Sequence, residues 1–273
     1  MASYQDDLLR LISDQVRLIP PGGTTVSGAA TIERSRKEIA HGKRLAAGRP
    51  ESVWGWEGPA GRMRAARRVA MIASGAHLQP GMKVLEIGCG TGLFTESFAQ
   101  TGVHLVAVDI SSDLLDLARL RRLPDDRVRF IEGRLEDLDL GTCFDAVIGS
   151  SILHHLDIEP ALQRIHELLK PGGLISFTEP NMLNPQIMLQ KNVPWVKRRV
   201  GDSPEETAFF RQPLERLLRQ VGFVLISIVP FDWLHPSTPV RLIPLVSRIG
   251  QVLEELPLVR EFAGSLFIRA HKP

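Results

Sequence analysis

The chain holds only two cysteines in 273 residues. Cys89 and Cys143 lie far apart, each inside a stretch that reads as a core element. That excludes a disulfide framework and predicts two reduced, buried thiols of a cytosolic protein. Charge of one sign is also scarce: 33 Lys and Arg stand against 31 Asp and Glu, a formal net charge of +2. A near-neutral chain gives no electrostatic case for nucleic acid as a partner. No apolar run approaches the roughly 18 residues of a membrane-spanning helix. The N-terminus carries Asp6 and Asp7 where a signal peptide would be basic. Internal repeats and low-complexity tracts are missing, and no histidines and acids fall at metal-ligand spacing. The expectation is a cytoplasmic protein with no metal and no transmembrane segment. Attachment to a membrane surface stays compatible, and the sequence assigns no oligomeric state.

What is present centres on one stretch. Lys83 to Ile87 reads as a buried parallel strand. Gly88, Gly90 and Gly92 follow at alternate positions, and Leu93 to Ala99 starts a helical pattern. Strand, glycine turn and helix let backbone approach a ligand closely and turn a helix N-terminus toward it. Leu105 to Val108 reads as a second strand, with Asp109 at its carboxyl end. Open α/β sheets bind ligands outside the carboxyl ends of their strands, where strand order reverses. A carboxylate there can accept both hydroxyls of a ribose, so the pair predicts a nucleoside-containing ligand.

Glycine spacing separates two ligand classes. The dinucleotide fingerprint G-x-G-x-x-G would put its last glycine where this chain has Leu93. With Glu86 ahead of Gly88, the run E-x-G-x-G-x-G resembles the first motif of the class I S-adenosylmethionine-dependent methyltransferases, in their small-molecule branch. The resemblance is good from Lys83 to Pro180 and weak elsewhere. It implies S-adenosyl-L-methionine as cofactor. Gly88, Cys89, Gly90 and Gly92 would receive its methionine part, with Glu86 near the ammonium. Asp109 would hold the ribose hydroxyls, Ile110 would pack on the adenine, and the backbone near Leu135 would serve the ring. Many members read Gly-Asp-Ala after the third strand; here Arg134 replaces that Asp, leaving Glu136 or Asp137 to supply a carboxylate. Ser150 is a further implied cofactor contact. The implied fold is a three-layer α/β sandwich. Its seven-stranded sheet is mostly parallel, with the last strand antiparallel and inserted beside the sixth.

The rest of the chain is read around that core. Asp6 to Ile19 predicts an amphipathic helix stopped by Pro20 to Gly23, and Ile32 to Ala47 a basic one. Arg49 to Gly61 reads as a loop carrying Trp54 and Trp56. The tryptophans either pin the N-terminal segment to the main domain or close over a ligand. Arg62, Arg64, Arg67 and Arg68 read as a solvated helix face. Ser111 caps a helix from Ser112 to about Arg121. Strands follow at Val128–Ile131, Phe144–Gly149, Leu174–Thr178, Phe223–Val229 and Ser265–Ala270, with helices at Glu159–Leu169 and Arg211–Val221. Residues 1–75 form a helical N-terminal cap, and 76–273 the main domain. Insertions at about 181–204 and 230–263 reach the carboxyl-end face.

His154 and His155 follow the fourth strand. Adjacent histidines point different ways, so at most one faces the site. The choice is between a structural hydrogen bond and a general base that takes a proton from a hydroxyl. The implied reaction is methyl transfer to a small, possibly amphipathic acceptor: a hydroxyl of a lipid-like, sugar or natural-product compound. Carbon or nitrogen acceptors are the alternative, with Glu179 the candidate acid for carbon. A nicotinamide-dependent dehydrogenase or a non-catalytic nucleoside-binding module is opposed by the glycine spacing.

Overall fold

The computed structural model describes residues 28–141, 143–193, 195–197 and 206–273. The helix expected at 6–19 with its stop at 20–23, and residues 198–204 of the first expected insertion, lie outside them. Contacts divide the chain into two units, 1–33 and 34–273. Of the first, only the opening of helix α1 (Gly28–Ala46) is described; everything below concerns the second.

The second unit is built on one sheet of seven strands in the order β3-β2-β1-β4-β5-β7-β6. The strands are β1 (Lys83–Ile87), β2 (His104–Asp109), β3 (Val128–Glu132), β4 (Phe144–Ser150), β5 (Leu169–Pro180), β6 (Val224–Phe231) and β7 (Ser265–His271). All neighbours pair in parallel except β7, which runs antiparallel to β5 and to β6. The predicted sheet, with its last strand set beside the sixth, is what the chain forms. Strand order reverses at β1, which lies between β2 and β4. The carboxyl ends of these strands are therefore where a crevice opens.

β1 shows why the sheet is buried on both faces. Val84 joins one apolar cluster with Phe98, Leu105 and Ile148. Leu85 and Ile87 join the other, with Val147, Ile175 and Phe177. Successive side chains of a strand point to opposite faces, so a continuous apolar run feeds both. Each such side chain taken from water contributes about 1.5–3 kcal/mol.

Helices α2 (Pro50–Val53), α3 (Pro59–Gly75), α4 (Leu93–Ala99) and α5 (Ser112–Arg119) precede β3; α6 (Ile158–Leu168), α7 (Pro185–Asn192), α8 (Arg211–Val221) and α9 (Ile243–Glu255) follow it. Ile72 of α3 and Phe98 of α4 pack in the Val84 cluster, while Leu162 of α6 and Leu218 of α8 pack in the other. The result is three layers. Ser111 caps α5 as expected, its hydroxyl accepting from Leu114 N–H. α8 covers its predicted span and ends at Gly222, whose φ of 107° is left-handed. α3 lies so close to the sheet at Gly75 that a Cβ there would sit 2.6 Å from the Phe267 ring.

Three expectations need correction. Arg49 to Gly61 is not simply a loop: prolines at the first helical position open both α2 and α3 within it. Cys143 is exposed at the approach to β4 rather than buried. The arginine row of α3 is not a solvated face. Arg68 is 2% exposed and pairs with Asp232 at 3.0 Å. Arg64 reaches the same carboxylate at 2.9 Å, and Arg67 pairs with Glu254. These pairs pin the β6–β7 insertion to α3. Among the described residues, no helix is long and apolar enough to cross a membrane.

Candidate active site

The glycine loop after β1 has its three glycines at φ of 66°, 52° and 74°. Side chains are strained there, and space is short as well. A Cβ on Gly88 would fall 2.3 Å from the Ile152 side chain, and one on Gly90 would be 3.2 Å from the Trp54 ring. The two tryptophans are placed differently. Trp56 is the pin: it is buried, packs edge-on to Phe94 at 5.6 Å and lies under the guanidinium groups of Arg64 and Arg68. Trp54 lies over the glycine loop.

Glu51 of α2 latches this segment down. Its carboxylate accepts from the Thr91 hydroxyl at 2.9 Å and pairs with Arg121. Arg121 also donates to Thr91 O and pairs with Glu96. Sequence patterning gave no sign of Glu51 or Arg121, because the two are 70 residues apart.

Asp109 ties two loops together. Its Oδ2 accepts from Gly90 N–H at 2.8 Å and its Oδ1 from Ser111 N–H at 2.9 Å. Burial raises its pKa, opposed by those amide donors. Each oxygen retains further acceptor capacity, so a diol could still bind. Ile110 is half-buried beside it. Glu86 is 2% exposed beneath the glycines. Burial pushes its carboxyl up to about 8, against a lowering from the nearby Thr95 hydroxyl. Its Oε2 has no hydrogen-bond partner among the described residues. A buried carboxyl oxygen left unpaired is costly, and a cationic ligand group would satisfy it. This observation fits the ammonium of S-adenosylmethionine. Cys89 holds its place through N–H to Val108 O, and burial lifts its thiol well above the usual range.

The third-strand turn is bonded to β2 by Gly133 N–H to Asp109 O. Leu135 is buried in the core, and Arg134 pairs with Asp137 at 3.1 Å and with Glu136 at 3.8 Å. The residue that departs from the family pattern thus holds both acids proposed to replace it. The Ser150 hydroxyl bonds that of Thr178 at 2.9 Å, joining β4 to β5.

Beyond β4, Ser151 takes a left-handed φ of 56° and Leu153–His155 form a short 3-10 helix. Glu179 at the end of β5 holds that turn. Its Oε1 accepts from Ile152 and Leu153 N–H, and its Oε2 meets His154 Nδ1 at 2.6 Å. With its carboxylate fully buried and committed to these three groups, Glu179 is a clamp and not the acid suggested for carbon chemistry. His154 Nε2 faces Glu206 at 3.4 Å, and Glu206 also pairs with Lys191. Burial would lower the His154 pKa, but Glu179 and then Glu206 hold it up to about 9. Burial likewise opposes ionisation of Glu206, yet His154, His155 and Lys191 hold its carboxyl far below the usual range.

His155 is placed differently. Its Nδ1 meets Glu38 of α1 at 3.1 Å, and it is half-buried. Arg34, one turn earlier on α1, donates to His154 O. His154, His155 and Glu206 bring ligand-type atoms within 4.8 Å of one another, a grouping sequence spacing did not reveal. The Lys191 ammonium on Glu206 opposes a metal ion there.

Three comparisons bear on this geometry. Residues 84–173 match the family described as "Methyltransferase domain". The chain is 35% identical over 133 residues to a ubiquinone biosynthesis O-methyltransferase of Xanthomonas axonopodis pv. citri, covering 47% of this chain and 56% of that protein. It is 36% identical over 121 residues to a demethylmenaquinone methyltransferase of Clavibacter sepedonicus, covering 43% and 46%. The chain thus spans about half the length of these curated relatives. The crystal structure of the N-methyltransferase NodS from Bradyrhizobium japonicum WM9, in complex with S-adenosyl-L-homocysteine, shares the fold. Its TM-score is 0.57 at 17% identity, covering 87% of this chain and 99% of that one.

Proposed function

We propose that this chain, which belongs to the class I S-adenosylmethionine-dependent methyltransferases, methylates a hydroxyl of a small lipid-like, sugar or natural-product acceptor in the cytoplasm. The glycine loop, Glu86 and Asp109 would hold the cofactor, with Ile110, Leu135, Glu136 and Ser150 around it. When bound, the cofactor supplies an electrophilic methyl group on a sulfonium, open to in-line displacement. Residues 34–75 would serve as a cap on the rest of this unit.

The observation that carries the acceptor reading is the unequal treatment of two adjacent histidines. His154 lies between two carboxylates and keeps its proton up to about pH 9, so it is a poor base. His155 has Glu38 on Nδ1. Donating that N–H to the carboxylate leaves Nε2 as the acceptor, in the tautomer this network favours. A hydroxyl proton would pass to His155 Nε2, and Glu38 would stabilise the imidazolium formed. The methyltransferase relatives named above support a small-molecule acceptor.

The test is an acceptor screen with methyl-labelled cofactor, offering phenolic, sugar and aliphatic hydroxyls alongside amines. On the best hydroxyl, His155→Ala should lower kcat by about 100-fold or more. Glu38→Ala should lower it by about tenfold, with KM and S-adenosylhomocysteine affinity little changed in both. Turnover of amines alone, or a wild-type rate from His155→Ala, would refute the hydroxyl reading.

A further inference from the structure

Residues 232–264 join β6 to β7. They emerge where Phe231 and Pro180 both pair with Ser265, at the carboxyl end of the parallel strands. Their helix, α9, is held down by one side. Ile243 and Gly250 are buried, Gly250 approaches Trp233, and Glu254 reaches Arg67 and the Asp232 N–H.

A second apolar stripe faces the solvent. Leu242, Leu245, Ile249, Val252 and Leu256 recur at intervals of three and four; Leu245, Ile249 and Val252 share one side of the helix, and Leu242 and Leu256 flank its ends. They are 47%, 56%, 51%, 57% and 45% exposed. Val240, Leu258 and Phe262 extend the exposed apolar surface at either end. Scattered exposed leucines need no explanation, but an aligned stripe does. The other insertion is bonded to this one: Gln186 meets His235 at 2.8 Å, and Asn184 donates to Phe262 O at 2.8 Å. That insertion adds exposed Met188, Leu189 and Trp195.

Charge and area point to the occupant. On α9 and its lead-in the exposed charged residues are Arg241, Arg248 and Glu255, a positive balance. Arg248 is three residues from Leu245 and four from Val252, so its stem can lie along the stripe while its head meets an anion. A stable protein dimer buries roughly 800 Å² per partner. One stripe on a helix of 13 residues offers on the order of a few hundred Å². A bilayer needs no matching partner surface.

We propose that α9 docks this face onto an anionic lipid bilayer, lying in the interface with Leu245, Ile249, Val252 and Leu256 immersed. Both insertions stand at the end of the sheet that carries the candidate site, so the docked face brings the acceptor entrance to the lipid.

The test is co-sedimentation of the full chain with phosphatidylcholine vesicles, with and without phosphatidylglycerol. Wild-type protein should sediment with the anionic vesicles. Ile249→Asp with Val252→Asp should lower its partition by about tenfold or more. Arg248→Glu should weaken it several-fold at low salt, with the difference shrinking as salt is added. If the double Asp variant does not melt cooperatively, Gln at both positions replaces it. The proposal falls if wild-type protein ignores both vesicle types, or if the double variant sediments like wild type. It also falls if wild type is a dimer that the double variant splits, which would assign the stripe to a second copy. Calorimetric binding of S-adenosylhomocysteine, unchanged in these variants, keeps this outcome separate from the cofactor reading.

Discussion

The two halves of the candidate site are made of different materials. Around β1 and β2 the surface is mostly backbone: three left-handed glycines, two amides on Asp109 and one buried carboxyl oxygen with no partner among the described residues. Around β4 and β5 it is polar side chains that meet one another: His154 with Glu179 and Glu206, Glu206 with Lys191, and His155, through Nδ1, with Glu38. The first half leaves a buried carboxyl oxygen unpaired among the described residues, which fits the cationic group proposed for it. The second is largely paired internally, and its rigidity comes from the ion pairs of His154 and Lys191, which cost several kcal/mol to break one-sidedly.

The sharpest way to break that contrast is to remove His154. Its folded-state pKa is raised from 6.5 to about 9. A group raised in this way contributes stability that is fully present below pH 6.5 and lost as pH climbs through about 9. His154→Gln should therefore unfold in urea with about 3 kcal/mol less stability near pH 6 than wild type. The gap should narrow toward pH 9, and a gap that stays constant with pH would mean that His154 is not held as a cation. On the cofactor side, Asp109→Ala should weaken S-adenosylhomocysteine binding by roughly 100-fold, as loss of two charge-assisted hydrogen bonds requires. Calorimetry showing unchanged affinity would move the ribose site elsewhere.

The contrast also explains what could be read from sequence. The cofactor half is legible because its parts are close in the chain. Glu86 and the glycines fall within one motif, and Asp109 meets Gly90 across only 19 positions. The buried strands were equally plain, since a sheet covered on both faces shows as uninterrupted apolar runs. The half proposed for the acceptor is assembled at a distance. Glu38 reaches His155 across 117 positions and Arg34 reaches the same turn across 120. No local pattern marks a glutamate in a basic helix as a histidine's partner. The arginines of α3 misled for the same reason. Their partners Asp232 and Glu254 lie more than 160 positions away, and a row of charges without visible partners reads as a solvated face.

Glu86 offers the finest probe of the difference between the halves. Burial first, and Asp109 in addition, hold its carboxyl up to about 8 against the nearby Thr95 hydroxyl, so the ligand-free protein carries a proton there at neutral pH. A group raised above its unfolded value of 4.5 costs stability as pH climbs from 4.5 toward 8, the region where only the unfolded chain ionises. An ammonium brought beside it favours the charged form. Binding of S-adenosylhomocysteine at pH 7 should therefore release up to about one proton from this site. Calorimetry in two buffers of different ionisation enthalpy reads that number directly. The release should fade above pH 8 and vanish in Glu86→Gln. Heats identical in both buffers would show that Oε2 receives no cation, leaving the cofactor half with a buried orphan to explain.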